Sequence, residues 1–161
     1  MPRRLPPIAV LLFLFLALPA QAAKPAPNFT LPSVVGNGKI SLSNYKGRVI
    51  YLDFWATWCP PCRKSFPWMD DMQAQYDDAG LTIIAVSIDR NRELAERFVQ
   101  QMEPGFKVVH DPASAVSRKY GVSAMPTSYL IDRDGNIVST HVGFRESDKA
   151  KLEQQIEDLL D

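Results

Sequence analysis

Two cysteines stand in this chain, two residues apart, in the run Trp58-Cys59-Pro60-Pro61-Cys62. A Cys-x-x-Cys pair set between a strand and a helix reads as a redox dithiol. At the helix N-terminus the Cys59 sulfur would face unpaired backbone N–H groups and the positive end of the helix dipole. Both favour the thiolate, which makes Cys59 the expected nucleophile. Cys62 falls one turn further in, within reach of Cys59 and shielded by that turn. It is the expected resolving thiol, the one that releases a mixed disulfide formed on Cys59. Pro60 and Pro61 suit the first helical positions, where no intrahelical N–H bond is needed. They also withdraw two donors from the Cys59 sulfur and so temper the stabilisation of its thiolate.

Two blander readings of the pair are a structural disulfide and half of a metal site. A loop closed around two residues removes little unfolded-state entropy, so a staple here would contribute little stability. A tetrahedral zinc site takes four ligands. The chain adds only His110 and His141, neither at a metal-like spacing from the pair, and both histidines read as structural. No metal and no cofactor is expected beyond the redox-active pair itself.

The motif needs a strand before it and a helix after it, and the sequence supplies both. Val49–Phe54 is nearly continuous apolar, as in a strand buried on both faces. A helix is predicted from Cys62 to about Asp78, with Phe66, Met69, Gln73 and Tyr76 along one face and a kink at Pro67. Short strands are predicted at Phe29–Leu31 and Lys39–Leu42, around the turn Val35-Gly36-Asn37-Gly38. Leu81–Ile88 reads as a second buried strand. Asn91 is placed to cap a helix through Met102, with Leu94, Phe98 and Met102 on its apolar stripe. Val108 and Val109 fit a short strand. Ala113–Tyr120 fits a helix stopped by Gly121. Thr127–Ile131 and Ile137–Val142 form a hairpin around Asp132–Asn136. A last helix, capped by Ser147, carries Leu152, Ile156, Leu159 and Leu160. The fold class is α/β, with a mixed central sheet flanked by helices.

The first residues read as an export signal. Arg3 and Arg4 precede an apolar run, Ile8–Leu18, and Ala20-Gln21-Ala22 gives a small-x-small cleavage pattern. The run is short against the roughly 20 apolar residues of a spanning helix. Cleavage after Ala22 is the favoured reading, and an uncleaved membrane tether is the alternative. With no cysteine near that site, lipid attachment there is not expected. The expected organisation is a signal peptide over 1–22, a Pro/Ala linker over 23–27 and one domain over 28–161. Formal charge is zero over 161 residues, and nothing marks a nucleic-acid binder. Without the leader, 16 basic and 18 acidic side chains remain, a net of −2.

The run Asp53-Phe54-Trp55-Ala56-Thr57-Trp58-Cys59-Pro60-Pro61-Cys62 resembles the active site of the thioredoxin superfamily. The N-terminal hairpin, a central insertion around Asn91–Val109 and the export signal resemble its TlpA/ResA/DsbE branch. The resemblance covers about Pro27 to Asp161. It implies a thioredoxin-like fold and an exported, periplasmic protein-disulfide reductase acting as a monomer on protein disulfides and thiols. It also implies recharging by a membrane thiol-electron donor of DsbD/CcdA type, and a place in cytochrome c biogenesis or copper-site assembly. Met125-Pro126-Thr127 matches the family's cis-proline loop, so Pro126 is expected cis, with Met125 lining the groove. Trp58, Pro60 and Pro61 would complete the substrate-facing surface.

Asp53 matches the superfamily's buried aspartate. Buried carboxyls have raised pKa values, and an Asp inside Val49–Phe54 is costly to bury. It is expected to take the proton of Cys62 as that thiol attacks. Many ResA-like members carry a Glu three residues after the second cysteine, where this chain has Ser65.

Two other functions compete. A thiol peroxidase would want a Pro-x-x-x-Thr-x-x-Cys loop, but Thr57 lies two residues before Cys59 and position 52 is Leu. A copper-binding chaperone could use Cys59, Cys62 and Met125 as soft ligands, though the pair alone supplies only two.

Overall fold

The computed structural model describes residues 24–161. The expected leader over 1–22 lies outside the described residues. No helix among those described is long and apolar enough to cross a membrane.

Among the described residues, eight strands and four α-helices follow one another. They are β1 (Lys24–Pro25), β2 (Thr30–Pro32), β3 (Lys39–Ser41), β4 (Val49–Trp55), α1 (Pro60–Tyr76), β5 (Leu81–Ser87), α2 (Arg92–Met102), β6 (Lys107–His110), α3 (Ala115–Tyr120), β7 (Thr127–Ile131), β8 (Asn136–Val142) and α4 (Lys149–Leu160). The main sheet has the order β1-β8-β7-β4-β5-β6. Strands β4, β5 and β6 are parallel; β7 pairs antiparallel with β4, β8 with β7 and β1 with β8. This is the expected mixed sheet.

Every residue of β4 and β5 is buried, because both faces of the sheet are covered. Val49, Tyr51 and Trp55 face a core built with Phe66 and Met69 of α1, Ala95 and Val99 of α2, and Leu152 and Ile156 of α4. Ile50, Leu52 and Phe54 face the opposite core, with Val116 and Tyr120 of α3 and Phe29 and Leu31 of the N-terminal hairpin. Double coverage explains why these strands read as unbroken apolar runs. The β2–β3 hairpin lies against the β6 edge, where Val34 N–H donates to the Val108 carbonyl at 2.8 Å. A sheet edge covered this way cannot pair with another chain.

Three local expectations are corrected. Lys24 and Pro25 are strand rather than linker, paired with Ile137 and Asn136, and Ala26 N–H donates to the Gly135 carbonyl at 2.9 Å. Helix α2 buries Ala95 and Val99, while Leu94 and Met102 are exposed. Only Phe98 of the expected stripe turns inward, against Trp55 and Phe66. The small Ala95 lets the helix approach the sheet closely and rotates the stripe. Ser147 caps nothing. It lies in a 3-10 turn (Glu146–Asp148) before α4, Asp148 closes that turn by accepting from Arg145 N–H at 3.0 Å, and no side chain caps α4 itself.

Other boundaries agree with the sequence. Asn91 Oδ1 accepts from Glu93 N–H at 3.0 Å and caps α2. Gly121 ends α3 at φ 74°, a conformation glycine adopts without a Cβ penalty.

Candidate active site

Strand β4 delivers the site, and α1 receives it. After Trp55 the chain turns through Ala56–Trp58, and Cys59 occupies the N-cap of α1 with extended backbone, φ −98° and ψ 104°. Its sulfur accepts from the Cys62 N–H at 3.3 Å. Pro60 and Pro61 fill the first two helical positions, so Cys62 carries the first N–H that the cap can use. Cys59 and Cys62 form a disulfide with Cα atoms 5.3 Å apart. Cys62 is fully buried, whereas Cys59 keeps 4% of its surface exposed. Trp58, just outside, is 65% exposed.

Beneath the pair lies an aromatic cluster. Trp55 and Phe66 meet at 4.6 Å between centroids, and Phe98 closes on Phe66 at 4.9 Å. Trp55 is therefore core. Such edge-on packing fixes α1 against the strand that feeds it. Pro67 sits inside α1, where it leaves the Arg63 carbonyl without its usual N–H partner. Ser65, which stands where many branch members carry Glu, is buried, and its hydroxyl donates to the Cys62 carbonyl at 2.8 Å. It therefore serves the helix backbone.

Asp53 is 2% exposed and lies on the same face of β4 as Tyr51 and Trp55, the face whose core includes both cysteines. Its Oδ2 has no hydrogen-bond partner. Desolvation alone raises its pKa well above the carboxylate range. The neighbouring Tyr51 hydroxyl, raised by burial and by Asp53, donates to Ser128 Oγ at 2.9 Å.

The Met125–Pro126 peptide is cis. Pro126 is buried, and Met125 is half-buried against the core that contains Cys59 and Cys62. The Pro126 carbonyl accepts from Gly143 N–H at 2.8 Å and Thr127 Oγ1 donates to the Ala124 carbonyl at 2.7 Å, which ties the loop to the start of β7. His110 is buried with Nε2 2.7 Å from the Asp89 carbonyl, a structural placement. Phe144 stacks on Trp68 at 5.6 Å and joins the core under α4.

Sequence reasoning passed over Asp89. This residue is 1% exposed. Its carboxylate accepts from Thr57 N–H at 3.0 Å, Thr57 Oγ1 at 2.8 Å and Ser87 Oγ at 2.9 Å. It holds the turn that carries Trp58 and Cys59. The available signal was an Asp two residues past a buried strand parallel to β4, since the C-terminal ends of parallel neighbours lie side by side.

Residues 21–156 match the Redoxin family. The chain is 39% identical over 133 residues to the thiol-disulfide oxidoreductase ResA of Bacillus anthracis, covering 83% of this chain and 75% of that one. A solved structure of a candidate thiol:disulfide interchange protein DsbE from Chlorobium tepidum superposes with a TM-score of 0.84 at 48% identity, over 88% of this chain and 99% of the other. A second protein from that organism, a thioredoxin-family thiol:disulfide interchange protein, superposes at 0.78 with 26% identity, over 88% and 99%. With its mixed sheet, its capped Cys59–Cys62 pair and these relatives, the chain belongs to the Redoxin family, as a TlpA/ResA/DsbE-like thiol-disulfide oxidoreductase of the thioredoxin superfamily.

Proposed function

We propose that the protein reduces disulfides of exported proteins, with Cys59 attacking and Cys62 resolving. The carrying observation is the asymmetry of the pair. Cys59 caps α1 and keeps some exposure, while Cys62 is sealed one turn in. In the reduced protein the Cys59 thiolate attacks a substrate S–S bond. A mixed disulfide forms and one substrate thiolate leaves. Cys62 then gives its proton to Asp53 and attacks the Cys59 sulfur. The second substrate thiolate leaves, and the Cys59–Cys62 disulfide remains. Burial of Asp53 supports the proton role, because a desolvated carboxylate is a stronger base than one in water.

Trp58, Pro60, Pro61, Met125 and Pro126 form the substrate-facing surface in this reading, and exposed Trp58 is its apolar anchor. Arg3, Arg4 and the apolar run before Ala22 support export to the periplasm, by a cleaved signal or a retained tether. A reductase in an oxidising compartment needs an electron source, and a membrane thiol donor of DsbD/CcdA type fits. The reduction potential tests the direction. Equilibration with glutathione should place the pair nearer the thioredoxin value of about −270 mV than the roughly −120 mV of a strong disulfide donor. A value at the oxidising end would reverse the assignment.

A further inference from the structure

Three strands lay a row of polar side chains across the sheet face that carries the dithiol. Asp53 of β4 pairs in register with Ser128 of β7, and Ser128 pairs with His141 of β8. Directly opposed residues share a face, with Cβ atoms about 4.5–5.5 Å apart. Two buried atoms in this row lack partners, Asp53 Oδ2 and His141 Nε2. Buried polar atoms are normally bonded, so orphans on both sides of one serine require a reason.

Ser128 is set up to connect them. Tyr51 donates to its Oγ at 2.9 Å. That contact uses one lone pair and leaves the serine one further lone pair and its own proton. A cavity of about 10 Å³ lies here, lined by Tyr51, Ser128, Ser139, His141 and Gln155 among others. That volume is near the minimum for one water, and its lining is polar enough to hold one. Beyond it, His141 Nε2 lies 3.4 Å from Asp148 Oδ2, close but not aligned as a hydrogen bond. Both side chains are 23% exposed, so this end of the row reaches solvent.

We propose that protons leave and re-enter the Asp53 carboxyl through Ser128 and His141, emerging beside Asp148. The inference rests on reading Asp53 as the proton acceptor for Cys62. Asp53 passes its proton to Ser128 Oγ while the serine's own proton moves to His141, directly or through one water in the cavity. His141 then releases a proton to solvent beside Asp148. One proton travels outward, the serine ends neutral, and only O–H and N–H bonds change. Ser128 and His141 touch neither substrate nor sulfur in this scheme. They act through Asp53.

The test is the exchange rate of the Asp53 proton on mixing into D2O. It is read from the carbonyl stretch of the protonated carboxyl, assigned by its loss in Asp53→Asn, at the pH where the band is half developed. Ser128→Ala should slow exchange about a hundredfold, the low side of what a positioned proton-transfer group contributes. Ser128→Thr, which keeps the hydroxyl, should restore it, and His141→Gln should slow it. Thr140→Val, on the opposite and exposed face of β8, should exchange at the parent rate. The Thr variant keeps the test decisive if loss of the Tyr51 partner perturbs folding. Parent-like exchange in both Ser128→Ala and His141→Gln would overturn the route and leave Asp53's role intact. Unchanged mixed-disulfide resolution in Asp53→Asn would remove that role, and with it the use of the route.

Discussion

Asp53→Asn should raise the stability of the oxidised protein, and the gain should grow with pH. The carboxyl is 2% exposed, its Oδ2 has no partner, and desolvation raises its pKa. In the unfolded chain it titrates as an ordinary aspartate. Below that ordinary range both states hold the proton, and Asp and Asn differ by a constant. Above it the unfolded chain has lost the proton while the folded protein keeps it. Stability then falls with rising pH, by about 1.4 kcal/mol per pH unit for one group. The fall ends once pH passes the folded pKa. Over a single pH unit within this window, Asn should therefore gain about 1.4 kcal/mol on the parent. The assay is urea denaturation of both proteins, disulfide intact, at several pH values from about 4 to about 8. Taking the difference cancels the other carboxylates, and the disulfide keeps both thiols out of the titration. A pH-independent difference would refute the reasoning, because it would mean that Asp53 ionises in the folded protein as it does in water.

Three further outcomes follow from the contacts. Asp89→Ala removes the acceptor of two Thr57 donors and of Ser87 Oγ. It should cost about 3–4.5 kcal/mol at roughly 1–1.5 kcal/mol per lost bond, read by urea denaturation, and should also slow attack on substrate by loosening the turn before Cys59. Trp58→Ala should change stability by less than about 0.5 kcal/mol, as for an exposed side chain, while raising KM for a protein disulfide more than for a small one. Asp111 accepts from three N–H groups at the start of α3, so Asp111→Ala should cost about 1–2 kcal/mol, measured as a shift in Tm.

What the sequence conveyed and what it withheld divide along physical lines. The unbroken apolar run of β4 announced a strand covered on both faces, and Gly121 marked the end of α3, because both signals are local. The cost of an unpaired Asp in that run pointed to Asp53. The Lys24–Pro25 strand had no such signal, since its partner lies more than a hundred residues away on β8. Helix α2 misled because a larger apolar stripe, Leu94-Phe98-Met102, competed with Ala95 and Val99, and contact with the sheet favoured the smaller pair. Ser147 is an acceptable cap by type, but the 3-10 turn takes it out of the cap position and puts Asp148 there without a side-chain cap bond. Asp89 lies some thirty residues beyond the motif. Only the parallel pairing of β4 and β5, which sets Trp55 opposite Ser87, brings it under Thr57.

The order of the two thiols in the cycle is set by which sulfur meets the substrate. Reduced Cys62→Ser, mixed with oxidised glutathione, should accumulate a glutathione adduct whose peptide mass places it on Cys59, and reduced Cys59→Ser should form far less. Faster adduct formation on Cys62 than on Cys59 would contradict the order of attack. No adduct on either variant would contradict the dithiol chemistry itself.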